Sequence, residues 1–166
     1  MEEIYKRASV RTFTDEAVSD AEVEEILRAA MAAPSAGNQQ PWVFYVTRDA
    51  DVKQKLSKAS KYAGPAGKAS VVIAVCQNMQ GLRFPGCAPQ DLSACIENAL
   101  LSIVELGLGA VWLGVAPERE RMEKVAEAIA CEEGHEPFAL IAVGHPAKDP
   151  EARGAERFDT SKIIWR

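Results

Sequence analysis

The spacing of apolar residues divides the chain into alternating helical and strand-like stretches. Ser19-Asp-Ala-Glu22 sets a hydroxyl at a helix cap and a glutamate three residues on, the arrangement of a capping box. Val23, Ile26, Leu27, Ala30 and Met31 then recur at helical intervals, which predicts a helix that stops near Pro34. Trp42 to Thr47 is aromatic and β-branched and predicts a strand. Asp49 to Tyr62 predicts a helix ended by Gly64-Pro65. Ser70 to Cys76 is a nearly unbroken apolar run, the pattern of a strand buried on both faces. Gly81, Pro85, Gly86 and Pro89 mark an irregular loop. From Asp91 to Leu106 a wide apolar face (Leu92, Cys95, Ile96, Ala99, Leu100, Ile103, Val104) predicts a long central helix, capped by Gly107. A short strand over Ala110 to Gly114, an amphipathic helix over Glu118 to Ala130 and a strand over Phe138 to Val143 complete the order. A polar stretch, Ala147 to Glu156, leads to apolar Ile163, Ile164 and Trp165. Such an end has to dock, either on its own subunit or on a partner.

Composition narrows the class. The 166 residues suit a single domain spanning 1–166, with 48% hydrophobic and 26% charged residues, enough for a core. A net charge of −5 offers no broad basic face for nucleic acid. Locally, Lys6, Arg7 and Arg11 gather just before an acidic run from Asp15 to Glu25, which fits a small pocket for one anionic ligand. The polar N-terminus does not look like a secretory leader and no apolar run suits a membrane span, so a cytoplasmic location is expected. Cys76, Cys87, Cys95 and Cys131 form no metal-ligand spacing with His135 or His145, so no metal is expected and the thiols read as reduced. His145 reads as a turn histidine in Gly-His-Pro, and His135 as part of a solvated loop.

Three segments bear on chemistry. Gly107-Leu108-Gly109 closes a helix and opens a strand, the reverse of a dinucleotide phosphate loop, and reads as a cap followed by a tight turn. Arg7-Ala-Ser-Val-Arg11 places two guanidinium forks around a hydroxyl, a set suited to phosphate oxygens, although two arginines near a terminus are commonplace. Ala33-Pro-Ser-Ala-Gly-Asn-Gln-Gln-Pro-Trp42 joins helix to strand with amides that can both donate and accept, as the polar edge of a flavin requires. Taken alone it reads first as a polar turn in which Asn38 bonds its own backbone.

Together, RASVRTF, APSAGNQQPWVF, DLSACIENALLSIVELGLGAVWLG and AVGHPAKDP with Arg157 and IIW resemble the nitroreductase family, in order along essentially the whole chain. The resemblance implies an α+β fold with a mixed, largely antiparallel sheet surrounded by helices. It also implies a homodimer that exchanges C-terminal tails and holds FMN at the subunit interface. Arg7, Ala8, Ser9 and Arg11 match positions that hold the FMN phosphate and ribityl chain. Pro34, Ser35, Ala36, Asn38 and Gln40 match a segment that reaches the flavin, typically from the other subunit. Leu113 and Gly114 match a strand end beside the ring, and Arg157 a basic residue closing over the phosphate.

The activity implied is ping-pong transfer of a hydride from NADH or NADPH, through flavin N5, to a nitroaromatic, quinone or enone. No side chain need act as a catalytic nucleophile, because the flavin carries the chemistry. Leu113 stands where some relatives carry a glutamate, so different polar contacts at the ring edge are expected, and the segment between Cys76 and Asp91 is short, so a more open pocket is expected. Within the family, reductive dehalogenation and flavin breakdown remain open alternatives; outside it, so does a flavin-binding redox sensor or reservoir without turnover.

Overall fold

The computed structural model describes residues 2–166. Among these residues the α-helices and strands are α1 (Glu2–Lys6), α2 (Asp20–Met31), β1 (Trp42–Thr47), α3 (Ala50–Ser57), β2 (Val71–Asn78), α4 (Ala88–Glu105), β3 (Gly109–Gly114), α5 (Arg119–Ala128) and β4 (His135–Gly144). The strands form one sheet in the order β1-β2-β4-β3, every neighbouring pair antiparallel. An isolated parallel bridge between Ser9 and Ala110 sets the N-terminal arm beside β3, next to a sheet that is antiparallel throughout, in keeping with the largely antiparallel α+β fold expected.

Strand β2 explains why the sheet is two-sided. Val71, Ile73 and Val75 enter one core with Leu92, Ile96 and Ile103 of α4 and Ile26 of α2. Val72 and Ala74 enter a second core with Leu56 of α3 and Val125 of α5. Period-two alternation therefore sends an all-apolar strand into both layers. Burying each large aliphatic side chain contributes roughly 1.5–3 kcal/mol before the entropy of ordering is counted.

The capping box at the start of α2 forms: Ser19 Oγ accepts from Glu22 N–H (3.2 Å), and Glu22 Oε2 accepts from Ser19 N–H (2.7 Å). Gly107 takes φ +73° just beyond α4, the left-handed stop that its position predicts.

Three expectations are corrected. Helix α3 ends at Ser57 rather than Tyr62, because the chain turns at Lys58–Ala63 and enters a 3-10 turn over Gly64–Gly67. Pro89 is not in a loop: it occupies the first turn of α4, where its missing N–H leaves no bond unmade. His135 is not solvated loop. It opens β4, half-buried, with Nδ1 2.8 Å from Tyr45 Oη, and the Tyr45 oxygen also accepts from Glu132 N–H (2.9 Å). The short helix α1 had no apolar repeat to announce it.

Candidate functional site

The arm that carries Arg7 and Arg11 is held by its backbone. Val10 N–H donates to Ala110 O (2.8 Å), Thr14 N–H to His145 O (2.9 Å), and Ala147 N–H to Thr12 O (3.1 Å). The arm thus lies between the edge strand β3 and the segment leaving β4. Two glycines paired across the β3–β4 ladder, Gly109 and Gly144, make room for it. A Cβ on Gly109 would stand 2.8 Å from Val10 Cγ2 and 2.9 Å from Pro146 Cγ, and one on Gly144 2.9 Å from Phe13 Cδ1. Gly109 is therefore more than part of a tight turn: it is the seat of the arm.

Between this arm and the C-terminal segment opens a cleft of about 520 Å³. Arg7, Ala8, Ser9 and Arg11 line one wall, and Lys148, Arg153 and Arg157 contribute to the other. Five cationic side chains face only two carboxylates, Asp149 and Glu151, so the cleft is positive within an acidic protein. Arg7 Nε is 3.6 Å from Glu97 Oε1, which steadies that guanidinium from the side of α4. Arg11 Nη1 donates to Ser9 O (3.2 Å). Arg153 lies 3.7 Å from Glu151, whereas Arg11 and Arg157 are exposed. The arrangement suits a phosphate monoester: charge-assisted hydrogen bonds to such a group contribute about 1.5–3 kcal/mol each.

Lys148 and Arg153 were missed in the sequence because they alternate with acids in what looks like a polar spacer. The available signal was their position directly after the strand whose end pairs beside the arm. His145 is not in a turn: it follows β4 directly, its carbonyl accepts from Thr14 N–H (2.9 Å), and its Nδ1 lies 3.7 Å from Glu16 Oε2.

The second predicted segment is well formed but lies elsewhere. Ser35 is extended, Ala36–Asn38 makes a 3-10 turn, and Gly37, Asn38 and Gln40 all have positive φ (57°, 56° and 47°). Left-handed backbone costs a non-glycine residue on the order of 1–3 kcal/mol, least for asparagine, so the loop needs external support. Ser35 Oγ accepts from Gln40 N–H (3.0 Å), and Gln40 Nε2 donates to Asn38 Oδ1 (3.2 Å). Asn38 and Gln40 remain exposed, with amide groups available to a ligand. None of Pro34, Ser35, Ala36, Asn38 or Gln40 lines the cationic cleft of its own chain.

Leu113 and Gly114 do not line that cleft either. The Leu113 side chain is buried in the second core, so only its backbone could meet a ligand, while Gly114 is exposed at the end of β3. One chain therefore assembles Arg7, Ala8, Ser9, Arg11 and Arg157, and leaves the amide loop and the strand end apart from them.

The thiols are poor nucleophiles where they are deepest. Burial pushes the Cys95 thiol up to about 12, and burial next to the Cys131 thiol pushes Cys76 up as well. All four cysteines are free. Among the described residues no cluster of histidine, cysteine or acidic side chains could hold a metal ion, and no helix is long and apolar enough to cross a membrane.

Comparison with known proteins gives a consistent result. Residues 4–78 and 62–145 match the profile of the nitroreductase family. A protein of Archaeoglobus fulgidus, provisionally named NADH dehydrogenase/NAD(P)H nitroreductase, is 40% identical over 162 residues, covering 96% of this chain and 93% of its own. A provisionally named NADH oxidase of Clostridium acetobutylicum superposes with a TM-score of 0.92 at 38% identity, covering 98% of this chain and 97% of that one. A provisionally named nitroreductase of Desulfovibrio desulfuricans, solved in complex with FMN, gives a TM-score of 0.84 at 33% identity, covering 99% and 94%.

Proposed function

The chain belongs to the nitroreductase family, and from that premise we propose that it is an FMN-dependent oxidoreductase that moves a hydride from NAD(P)H to a small organic acceptor. The observation that carries the reading is the cationic cleft beside the N-terminal arm. Its arginines, hydroxyl and lysine are the donor set a phosphate monoester needs, in a volume of about 520 Å³. These residues fit FMN: Arg7, Ser9, Arg11, Lys148 and Arg157 would hold the phosphate and the start of the ribityl chain. FMN supplies the hydride-accepting and hydride-donating chemistry when bound.

The protein's own residues bind and orient. Arg7 and Arg11 fix the anionic end, with Arg7 kept in place by Glu97. Asn38 and Gln40 offer donors and acceptors to the polar edge of the ring. Gly114, exposed and without a side chain, lets the end of β3 approach the ring's face.

The working unit in this reading is a homodimer. The amide loop 34–40 stands apart from the cleft of its own chain, so a second copy is needed to bring one to the other. The tail supports the same reading: Phe158, Ile164 and Trp165 are 76%, 77% and 89% exposed, an apolar surface that a partner subunit would cover.

An anaerobic visible spectrum of the purified protein with added FMN, followed by NADH and then NADPH, tests the reading. Flavin absorbance that bleaches within the turnover time supports it and identifies the donor. Bound flavin that stays oxidised with both donors points to a sensor or reservoir. Protein that takes up no FMN overturns the assignment.

A further inference from the structure

Among the described residues, Asp91 is one of two buried polar residues, only 6% exposed, in the first turn of α4. Buried carboxylates need partners, and here both oxygens are used. Oδ1 accepts from Ala36 N–H (2.9 Å), and Oδ2 accepts from the Gln39 side-chain Nε2 (2.7 Å). Both donors belong to the amide loop, more than fifty positions away in sequence. Gln39 continues the chain of contacts. Its Nε2 also donates to Phe84 O (3.0 Å), and its Oε1 accepts from Phe84 N–H (2.9 Å). The Phe84 ring lies against Gly37, where a Cβ would be 2.7 Å from Cε2, and Arg83 stacks on that ring at 5.2 Å.

Gln39 is therefore not a ligand-facing amide like its neighbours. It turns inward and ties three things together: the buried carboxylate, the left-handed loop and the segment leading into α4. Asn38 and Gln40, on either side of it, point their exposed amides away from a backbone that this tie holds in an unfavourable conformation.

We propose that Asp91 is a positioning residue for the flavin reaction, acting through Gln39 and the Ala36 amide to aim Asn38 and Gln40 at the flavin and to keep Phe84 beside the loop. This rests on the flavin reading above. A carboxylate is required because the two donors approach different oxygens, and an asparagine would present an N–H to one of them. Positional errors of about 1 Å in such supports cost as much as a hundredfold in rate. Loss of the tie should weaken contacts that favour the more negative reduced flavin more than those to the oxidised form.

The test uses full-length holoprotein carrying Asp91→Asn or Gln39→Ala, with Ser19→Ala as a variant that loses a helix cap far from the loop. FMN affinity, the midpoint potential of bound FMN and the kcat-against-KM split for the nicotinamide donor are measured with the melting temperature. Both loop variants should bind oxidised FMN about tenfold more weakly and the reduced form a further tenfold, moving the two-electron potential about 30 mV negative. Their kcat should fall more than KM rises, and Ser19→Ala should melt lower with wild-type FMN affinity and potential. Gln39→Ala leaves the buried carboxylate in place, so it decides the matter even if Asp91→Asn does not fold. Wild-type potential and affinity in Gln39→Ala would overturn the proposal. Wild-type protein that binds no FMN would instead defeat the flavin reading and this proposal with it.

Discussion

Gly109→Ala should release the N-terminal arm. The added methyl meets Val10 Cγ2 at 2.8 Å, Val10 Cβ at 2.9 Å and Pro146 Cγ at 2.9 Å. Carbon atoms at ordinary contact sit near 3.5 Å or beyond, so the arm must retreat by roughly 0.7 Å or one of its flanks must deform. Retreat stretches the Val10 N–H to Ala110 O bond, now 2.8 Å. Overpacking of this kind costs about 1–3 kcal/mol, and the weakened hydrogen bond adds up to about 1 kcal/mol. Arg7 and Arg11 flank Val10, so the displaced arm should also lose FMN phosphate contacts, and affinity should drop at least tenfold. Gly107→Ala is the control: its φ of +73° makes alanine strained, but no atom lies within 4 Å of the new methyl. It should cost about 1–2 kcal/mol of stability and leave FMN affinity alone. Thermal melts of the apo and FMN-loaded proteins, with fluorescence titration of FMN, separate the two effects. Equal FMN affinity in Gly109→Ala and wild type would refute the idea that Gly109 seats the phosphate-binding arm.

Other outcomes follow from the same geometry. Arg11→Ala should lower FMN affinity by about 1.5–3 kcal/mol, ten- to a hundredfold or more, with an unchanged far-ultraviolet spectrum; holoprotein that purifies fully loaded would contradict the assignment. Glu22 is held below its ordinary value of 4.5 by its hydrogen bonds to Ser19. A depressed folded value means the stabilisation is present above pH 4.5 and is lost as pH falls through the folded value. Glu22→Gln should therefore melt below wild type at pH 7, and the gap should close in acid. Removing residues 158–166 should convert the proposed dimer to monomer in sedimentation velocity; a truncated chain that stays dimeric would place the subunit contact elsewhere.

How much was legible in the sequence varies by the range of the interactions involved. Strand β1 was found with its bounds intact and β2 within one or two residues, because aromatic, β-branched and unbroken apolar runs are local signals. The capping box at Ser19 was equally local. Proline misled at the start of α4, since Pro89 reads as a breaker until its place in the first turn is known. His135 looked solvated among Glu133, Gly134 and Glu136 because its partner, Tyr45, is 90 positions away. The same limit hid the site's support. Arg7, Ser9 and Arg11 stood out by the family resemblance more than by their spacing, whereas Lys148 reaches the cleft only because the chain leaving β4 pairs with the arm. Asp91 looked like the first residue of a helix, and nothing in its neighbourhood reveals that it holds residues 36 and 39.

The separation of the cationic cleft from the amide loop has a consequence for mass action. In the proposed dimer, where two chains complete each flavin site, cofactor retention becomes linked to protein concentration, because FMN that binds only the assembled form also stabilises it. Dilution would then release flavin even where free FMN is held constant, and added FMN would drive association. Coexpression offers a complementary view: a chain defective at Arg11 paired with one defective at Asn38 regenerates one intact site and one doubly damaged site per dimer. Mixed dimers would thus carry about half the wild-type flavin, although each parent alone is poorly loaded.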